Sequence, residues 1–385
     1  MSPAPPDDPS SPCPARRRPP GGHVMRRRDL LLAALPLGAA VLAGRAGASE
    51  LPPKRLPVQA QSVTNPQLLI GGDKGSTAGR WGGLLAPELE RGFGHGQVIS
   101  TRMTVGQDGV TAANLFDTQT TPDGTTALAV PGAALVAALS GEARIHFDYS
   151  RWLPLFFSLL SPVVIGHAQL HRNIENFMRD RPVRIAVSTL TGIELPTVLG
   201  MTMFGLRPIP VPGLASVTDA IAALRDNQVD VIQILDPQGS AETRTAIEAL
   251  SHDGYPALFS LTDSVPLEIG GQRVPFMHDV LLRENHSALS SLLYGAWTAL
   301  SAAAALDIGL VLPMLTPPTL VAEWRHACDL AIDSTDIRTM ASGTGRKLLD
   351  ATACTGPLRQ MAGDVTSIMA LRRWLSTHLP DWRMG

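Results

Sequence analysis

Aromatic residues are scarce in this chain, and the sequence lacks several other features that mark particular functions. Phenylalanine, tryptophan and tyrosine make up 5% of its 385 residues, which disfavours the base-stacking platforms of single-strand nucleic-acid binding proteins. The net charge is −2, whereas binding to nucleic-acid phosphates needs a basic surface. We therefore expect no nucleic-acid partner.

Catalytic and metal-binding motifs are also absent from the sequence. There is no Gly-x-Ser-x-Gly turn, and the stretch GGDKGST at 71–77 is not a P-loop, because its lysine precedes the last glycine instead of following it. His167 and His171 have the spacing of a zinc-binding helix, but Ala168 stands where a metalloprotease needs glutamate. We predict no catalytic residue, no metal and no cofactor, and we do not expect an enzyme.

Cysteine is scarce, with three residues in the chain. Cleavage of an export signal would remove Cys13 and leave Cys328 and Cys354, which an oxidising compartment allows to pair. Two cysteines without neighbouring histidine ligands do not form a zinc site. Their pairing stays open, because the sequence does not show whether their Cα atoms lie within disulfide reach.

The N-terminal region has the pattern of an export signal. Three arginines (26–28) precede an apolar run (30–44), and an Ala-Gly-Ala cleavage site (46–48) follows. A membrane-spanning helix needs about 20 apolar residues, so an uncleaved anchor is the weaker alternative. We expect a secretory signal peptide and a periplasmic location, with the twin-arginine pathway as one candidate route. Whether translation begins at Met1 or Met25 is left open.

Beyond a proline-rich linker at 49–65, short apolar strands alternate with helical patterns. Strands are expected at 67–72, 96–101, 126–130, 163–167, 183–188 and 229–235. Alternation of this kind with short connections predicts an α/β protein with mostly parallel sheets. The clearest helix begins after an N-cap at Ser216, and Val217, Ile221 and Leu224 are its predicted buried stripe.

Other helical patterns carry specific expectations. The pattern at 83–93 has its proline in the first turn, where proline is tolerated. The apolar segment 287–306 is expected to be a buried helix, with a second membrane segment as the alternative. A helix is predicted at 172–180, one long amphipathic helix at 317–341, and a final helical region at 357–379.

Small and hydroxylic residues recur directly after the predicted strands. Ligands of open parallel sheets bind at the carboxyl ends of strands, where helix N-termini and hydroxyl groups can hold an anion. An ordinary helix cap is the alternative at each position. The candidate ligand-binding residues are Gly75, Ser76, Thr77, Gly132, Ala133, Ser188, Thr189, Thr191, Gly192 and Asp236.

The order of these motifs resembles the solute-binding proteins of tripartite tricarboxylate transporters, also called Bug receptors. The matching stretches are KGSTAGRWGGLLAPEL, PDGTTAL, RIAVSTLTGIE and IPVPGLASVTDAIAALRDNQVDV. The similarity covers most of residues 66–341. Gly79, Leu190 and Pro131 depart from the family pattern, so the chain resembles a divergent member.

The resemblance implies a type II-like periplasmic binding protein fold, with two α/β lobes joined by two crossing strands. Lobe I would comprise 66–162 and 286–385, and lobe II 163–285, after an N-terminal region of 1–48. A small carboxylate-bearing organic acid would bind between the lobes at the loops 75–77 and 188–192. From the residues themselves we expect helix N-termini and hydroxyl groups, rather than arginine, to hold the acid, with assistance by Arg80 or Arg184 as the minor alternative.

The same resemblance implies delivery of that acid to the subunits of a membrane transporter. A monomer is expected. Two alternatives remain: an exported α/β enzyme with unidentified catalytic residues, and a ligand-sensing partner of a membrane signalling protein.

Overall fold

A computed structural model describes residues 62–94, 96–106, 108–170, 182–263 and 266–384. In this part of the chain, strands form two large sheets and one short hairpin. The strands are β1 (Gln67–Ile70), β2 (Ser100–Met103), β3 (Thr126–Val130), β4 (Leu153–Leu159), β5 (Val163–Gly166), β6 (Pro182–Ala186), β7 (Arg207–Val211), β8 (Val231–Ile234), β9 (Ala257–Ser260), β10 (Glu268–Ile269), β11 (Gln272–Arg273), β12 (Leu306–Leu312) and β13 (Lys347–Asp350).

Helices connect these strands and cover the sheets. Two short 3-10 turns, Tyr149–Arg151 and His286–Ser290, accompany them. The α-helices are α1 (Thr77–Phe93), α2 (Val110–Gln119), α3 (Gly132–Ser140), α4 (Leu195–Met203), α5 (Val217–Arg225), α6 (Ala241–His252), α7 (Met277–Glu284), α8 (Leu292–Ala304), α9 (Pro318–Ile332), α10 (Thr335–Gly343), α11 (Thr355–Ala362) and α12 (Val365–Met384).

The two large sheets are mixed, which corrects the prediction of mostly parallel sheets. The first has the order β13-β4-β12-β3-β1-β2, and the second β7-β6-β8-β5-β9. In the first, β1 pairs in parallel with β2 and β3, but β12 pairs antiparallel with both β3 and β4. Alternation of strands and helices along the chain does not predict this antiparallel pairing, because β12 joins the first sheet only after the chain has formed the second sheet.

The chain therefore forms two α/β lobes and passes between them twice. It leaves the first sheet at Leu159 and enters the second at Val163. After β9 it returns through α7 and α8 to β12. The predicted domain boundaries at residues 162 and 285 stay a prediction.

Helix α8 and helix α4 join the cores of the two lobes. The indole Nε1 of Trp297 on α8 donates a hydrogen bond of 3.0 Å to the carbonyl of Pro196 on α4. One cluster of buried apolar side chains includes Val130 of the first sheet and Val164 and Val183 of the second. The apolar segment 287–306 thus contains a buried helix, as predicted. Among the described residues, no helix is long and apolar enough to cross a membrane.

Helix α1 begins earlier than its apolar periodicity suggested. Ser76 is its N-cap, and its Oγ accepts a hydrogen bond of 3.0 Å from the Gly79 N–H. Pro87 consequently lies inside the helix and not in its first turn, which corrects the prediction. The ring removes one helical hydrogen bond to the carbonyl of Gly83, and Gly83 is exposed to water.

Several other boundaries also differ from the sequence prediction. The pattern 317–341 is two helices, because the first ends at Ile332 with Asp333 as its C-cap and Ser334 caps the second by accepting the Ile337 N–H. Ser216 does cap α5, and Ile221 and Leu224 are buried, but Val217 is 37% exposed.

The strand predicted at 96–101 is found at Ser100–Met103. The C-terminal helical region is two helices separated at Gly363, whose φ is +62°. The helix predicted at 172–180 and the export signal lie outside the described residues.

Cys328 and Cys354 are free thiols in this structure. Both are buried, and burial raises the pKa of both thiols. A buried thiol of this kind is poorly ionised at neutral pH and therefore unreactive.

Candidate functional site

In the loop before α1, the hydrogen-bond donors of Gly75 and Ser76 are bonded to acceptors within the chain. The backbone N–H groups of Gly75 and Ser76 each donate to Asp73 Oδ1 at 2.9 Å. The Ser76 hydroxyl donates to the Asp73 carbonyl at 2.7 Å while it caps the helix. The carboxylate of Asp73 thus occupies a position at the helix N-terminus that the sequence analysis assigned to a ligand anion.

Arg80 extends from the first turn of α1 back over this loop. Its guanidinium donates to the carbonyl of Gly75 at 2.7 Å and to Thr77 Oγ1 at 3.3 Å. Arg80 is exposed, and among the described residues it makes no ion pair with a carboxylate. Its positive charge is therefore accessible from solvent.

The hydroxyl groups of the loop at 188–192 also bond within the chain. Ser188 Oγ donates to Glu194 Oε2 at 2.8 Å, and Thr191 Oγ1 donates to Glu142 Oε1 at 2.9 Å. Glu142 follows α3 in the first lobe, so the Thr191 contact connects the two lobes. Thr189 is exposed, and its carbonyl accepts the Gly192 N–H at 3.1 Å.

Glu194 is a buried carboxyl group next to this loop. It is 8% exposed, and burial raises its pKa above the ordinary value, partly offset by the Ser188 hydrogen bond. The sequence analysis missed Glu194, although it lies six residues from Ser188. The loop thus contains an acid that disfavours a second negative charge whenever it is ionised.

Replacement of Glu194 by glutamine is expected to stabilise the protein at neutral pH by about 1–3 kcal/mol. Above pH 4.5, the ordinary value, the unfolded chain loses the proton of Glu194 before the folded chain does. The free energy of unfolding of the wild type should therefore fall with rising pH relative to Glu194→Gln.

Urea denaturation at several pH values between 4.5 and neutrality measures this difference. Glu248→Gln, at an exposed position on α6, controls for the loss of a carboxyl group. A constant difference between wild type and Glu194→Gln across this range would contradict the prediction.

A buried cation links the two lobes near Asp236. Arg346, just before β13, donates from Nη2 to Asp236 Oδ2 at 2.5 Å and from Nε to Asp307 Oδ2 at 2.7 Å. Asp307 lies on β12 and is 5% exposed, and Trp81 Nε1 donates to the same Oδ2 at 2.6 Å. Burial raises the pKa of Asp236, although the charge of Arg346 opposes this shift.

The sequence analysis missed Asp307 and Arg346, and only one of them leaves a signal in the sequence. Asp307 is a lone acid in the otherwise apolar strand LDIGLVL, and a buried charge requires a partner. Arg346 has no comparable signal, since exposed arginines occur throughout the chain.

A cavity of about 400 Å³ lies beside this ion-pair network. Thr77, Arg80, Trp81 and Leu84 of α1 form one wall. The second lobe contributes Val217, Asp236, Gly239, Ser240 and Thr243 to the remaining walls. The first lobe contributes Met340, Thr344 and Arg346, which lie in or just after α10. We call it the cleft cavity. It combines charged groups at one end with apolar side chains along its length.

The structure brings Thr77 and Asp236 together in the cleft cavity and places the other candidates around or away from it. Ser188 and Asp236 lie at the same edge of the second sheet, because β6 and β8 are parallel. Gly132 packs against the carbonyl oxygens of Ala303 and Leu306, and Ala133 is half-buried. Ligand contact by the ten candidate residues stays a prediction.

Arg184 is engaged elsewhere. Its guanidinium pairs with both carboxylate oxygens of Asp230, at 2.9 and 3.1 Å, and this pairing raises the pKa of Arg184. Of the two arginines suggested to assist binding, Arg80 is the one that lines the cleft cavity.

No protein-family model and no curated protein matches the chain. Solved structures do match. MatC from Rhodopseudomonas palustris with bound malate has a TM-score of 0.51 at 16% identity, covering 83% of this chain and 99% of MatC. The periplasmic binding protein BugD has a TM-score of 0.50 at 12% identity, covering 82% and 97%.

A TctC solute-binding protein from Polaromonas has a TM-score of 0.56 at 12% identity, covering 82% of this chain and 98% of that protein. These are Bug- and TctC-type proteins, as the sequence motifs indicated. The likeness confirms the predicted fold: the chain has a type II-like periplasmic binding protein fold, with two α/β lobes joined by two crossing segments.

Proposed function

We propose that the protein is an exported receptor that takes a small carboxylate-bearing organic acid between its lobes. It then passes the acid to the subunits of a tripartite tricarboxylate-type membrane transporter. The cleft cavity carries this proposal, because residues of both lobes line it and its volume of about 400 Å³ suits a small metabolite. Of the proteins that share the fold, MatC was solved with malate.

The charges of the cleft cavity indicate how an acid would bind. Arg346 already shares its charge with Asp236 and Asp307, whereas the charge of Arg80 is accessible from solvent. The acid's carboxylate would pair with Arg80 near Thr77 at the start of α1, where the helix dipole adds to the attraction. Of the ten candidates we propose Thr77 and Asp236 as direct contacts.

The walls of the cleft cavity indicate the rest of the ligand. Trp81, Leu84, Val217 and Met340 present apolar surface along it, so the acid should carry a hydrocarbon body that these side chains cover. Asp236 would disfavour a second carboxylate next to it unless that group is protonated or hydrogen-bonded. Closure of the lobes over the acid is a hinge motion.

Arg80→Gln is expected to weaken binding of the preferred acid by about tenfold or more, as the loss of a charged hydrogen bond implies. A thermal-shift screen of succinate, malate, adipate, citrate and benzoate first identifies the acid class, since a ligand of the folded state raises the melting temperature. Calorimetric titration of that acid then compares wild type and variant.

Arg325→Gln is the matched control, because Arg325 is exposed on α9 and does not line the cleft cavity. Stabilisation by no acid class, or equal affinity in wild type and Arg80→Gln, would contradict the proposal. Uptake of the identified acid by cells with and without the receptor tests delivery to a transporter.

A further inference from the structure

A second cavity, of about 320 Å³, lies where the chain crosses between the lobes. Leu159 at the end of β4 and Leu261 just after β9 line it, together with residues of α8 and α11. We call it the crossing cavity. It shares no lining residue with the cleft cavity, and neither the proposed function nor the sequence motifs assign it a role.

Two residues that line the crossing cavity carry buried hydroxyl groups without a hydrogen-bond partner among the described residues. These groups are Oγ of Ser301, a residue that is 2% exposed, and Oγ1 of Thr262. Buried polar groups in proteins are almost always hydrogen-bonded, and leaving one unpaired is costly. Each side chain would have to rotate toward the cavity to bond a polar group of a molecule within it.

Aromatic rings and one carboxylate also line this cavity. Tyr294 and Trp297 stack with centroids 5.9 Å apart, and His278 Nδ1 lies 2.8 Å from the Tyr294 hydroxyl. Asp263 is exposed at the rim. Burial raises the pKa of Tyr294, and the negative charge of Asp263 adds to this shift, which indicates that the two groups interact.

The charge at the crossing cavity is of one sign. Asp263 is its acidic residue, and no lysine or arginine lies among the described residues that line it. A carboxylate beside aromatic faces attracts cations, because the ring quadrupole adds to the Coulomb attraction. An anionic ligand would meet repulsion here, unlike in the cleft cavity.

We propose that the crossing cavity binds a small organic ammonium ion. Its ammonium group pairs with Asp263 beside the Tyr294–Trp297 stack, and its apolar body lies against Met361 and Leu159. The Ser301 hydroxyl, once rotated toward the cavity, bonds any polar substituent. Residues of both lobes contact such an ion, so its binding favours the arrangement in which they meet.

Benzylammonium is the probe for this site, with benzyl alcohol and benzoate as neutral and anionic analogues of similar size. Isothermal titration of the full chain should show that benzylammonium binds wild type at least tenfold more tightly than Asp263→Asn, since a charged hydrogen bond is lost. Benzoate should not bind at this site. Asp226→Asn, which removes an exposed carboxylate outside the cavity lining, should bind as wild type does.

Ser301→Leu provides a second variant, because the larger side chain extends into the crossing cavity. It should abolish benzylammonium binding while the acid that fits the cleft cavity still binds, so failure of one site is distinguishable from failure of the other. Absence of benzylammonium binding to wild type would overturn the proposal. So would equal affinity in wild type and Asp263→Asn, or retained binding in a folded Ser301→Leu variant.

Discussion

Replacement of Arg346 by methionine is expected to lower the free energy of unfolding by about 3–5 kcal/mol. The side chain of Arg346 is 13% exposed and that of Asp307 is 4% exposed. Methionine fills much of the same volume but leaves the carboxylate of Asp307 without its cation. The Trp81 indole remains as a hydrogen-bond donor to Asp307, yet a neutral donor does not compensate a buried charge.

Arg338→Met is the matched control for this experiment. Arg338 pairs with Asp333 on the surface, and both side chains are about two-thirds exposed. Exposed ion pairs contribute little, so the expected loss is within about 1 kcal/mol. Urea denaturation followed by circular dichroism measures both variants. Equal losses of unfolding free energy in Arg346→Met and Arg338→Met would show that the ion pairs of Arg346 do not stabilise the contact between the lobes.

The double variant Arg346→Met with Asp307→Asn adds a sharper test. If the cost of Arg346→Met comes mainly from the uncompensated carboxylate, neutralising Asp307 should restore part of the lost stability. A strictly additive loss in the double variant would instead assign the cost to packing around Arg346.

Gly132→Ala is expected to destabilise the protein by about 3 kcal/mol, the upper end for overpacked sites. A Cβ at Gly132 would lie 2.0 Å from the carbonyl oxygen of Ala303 and 2.6 Å from that of Leu306. Both contacts are with backbone, so no side-chain rotation can relieve them. Helix α3 would have to move away from the end of α8 and the start of β12.

Gly83→Ala is the control, and its expected sign is opposite. Gly83 lies in α1 and is exposed, and no atom lies within 4 Å of the position that a Cβ would take there. Alanine in such a helical position is more favourable than glycine by roughly 0.5–1 kcal/mol. The free energies of unfolding of the two variants, measured by thermal and urea denaturation, should therefore shift in opposite directions relative to wild type. A Gly132→Ala protein as stable as wild type would refute the close packing.

Local features of this fold were readily predicted from the sequence. The Ser216 cap and the short strand at 126–130 depend on neighbouring residues, and each was placed correctly. The two-lobe architecture came from the order of motifs along the chain. Pairing of β12 between β3 and β4 joins segments distant in sequence, and no local pattern encodes it.

The candidate site was harder to predict for a related reason. Hydroxyl groups such as those of Ser188 and Thr191 are equally suited to be ligand donors or partners of the chain's own acids. Thr191 bonds to Glu142, which lies 49 positions away and is brought to it by the tertiary fold, whereas Ser188 bonds to Glu194 only six positions along the chain. The Arg346–Asp236 pair joins residues 110 positions apart, so the charge balance of the cleft cavity emerges only once both lobes are folded.

The position of Arg346 also determines how the protein's electrostatic field changes when the cleft opens. Arg346 and Asp307 belong to the first lobe, whereas Asp236 belongs to the second. Separation of the lobes would break the Arg346–Asp236 pair and leave the Arg346–Asp307 pair intact. An opened form of the proposed receptor would therefore expose the Asp236 carboxylate on one lobe and a guanidinium compensated by Asp307 alone on the other.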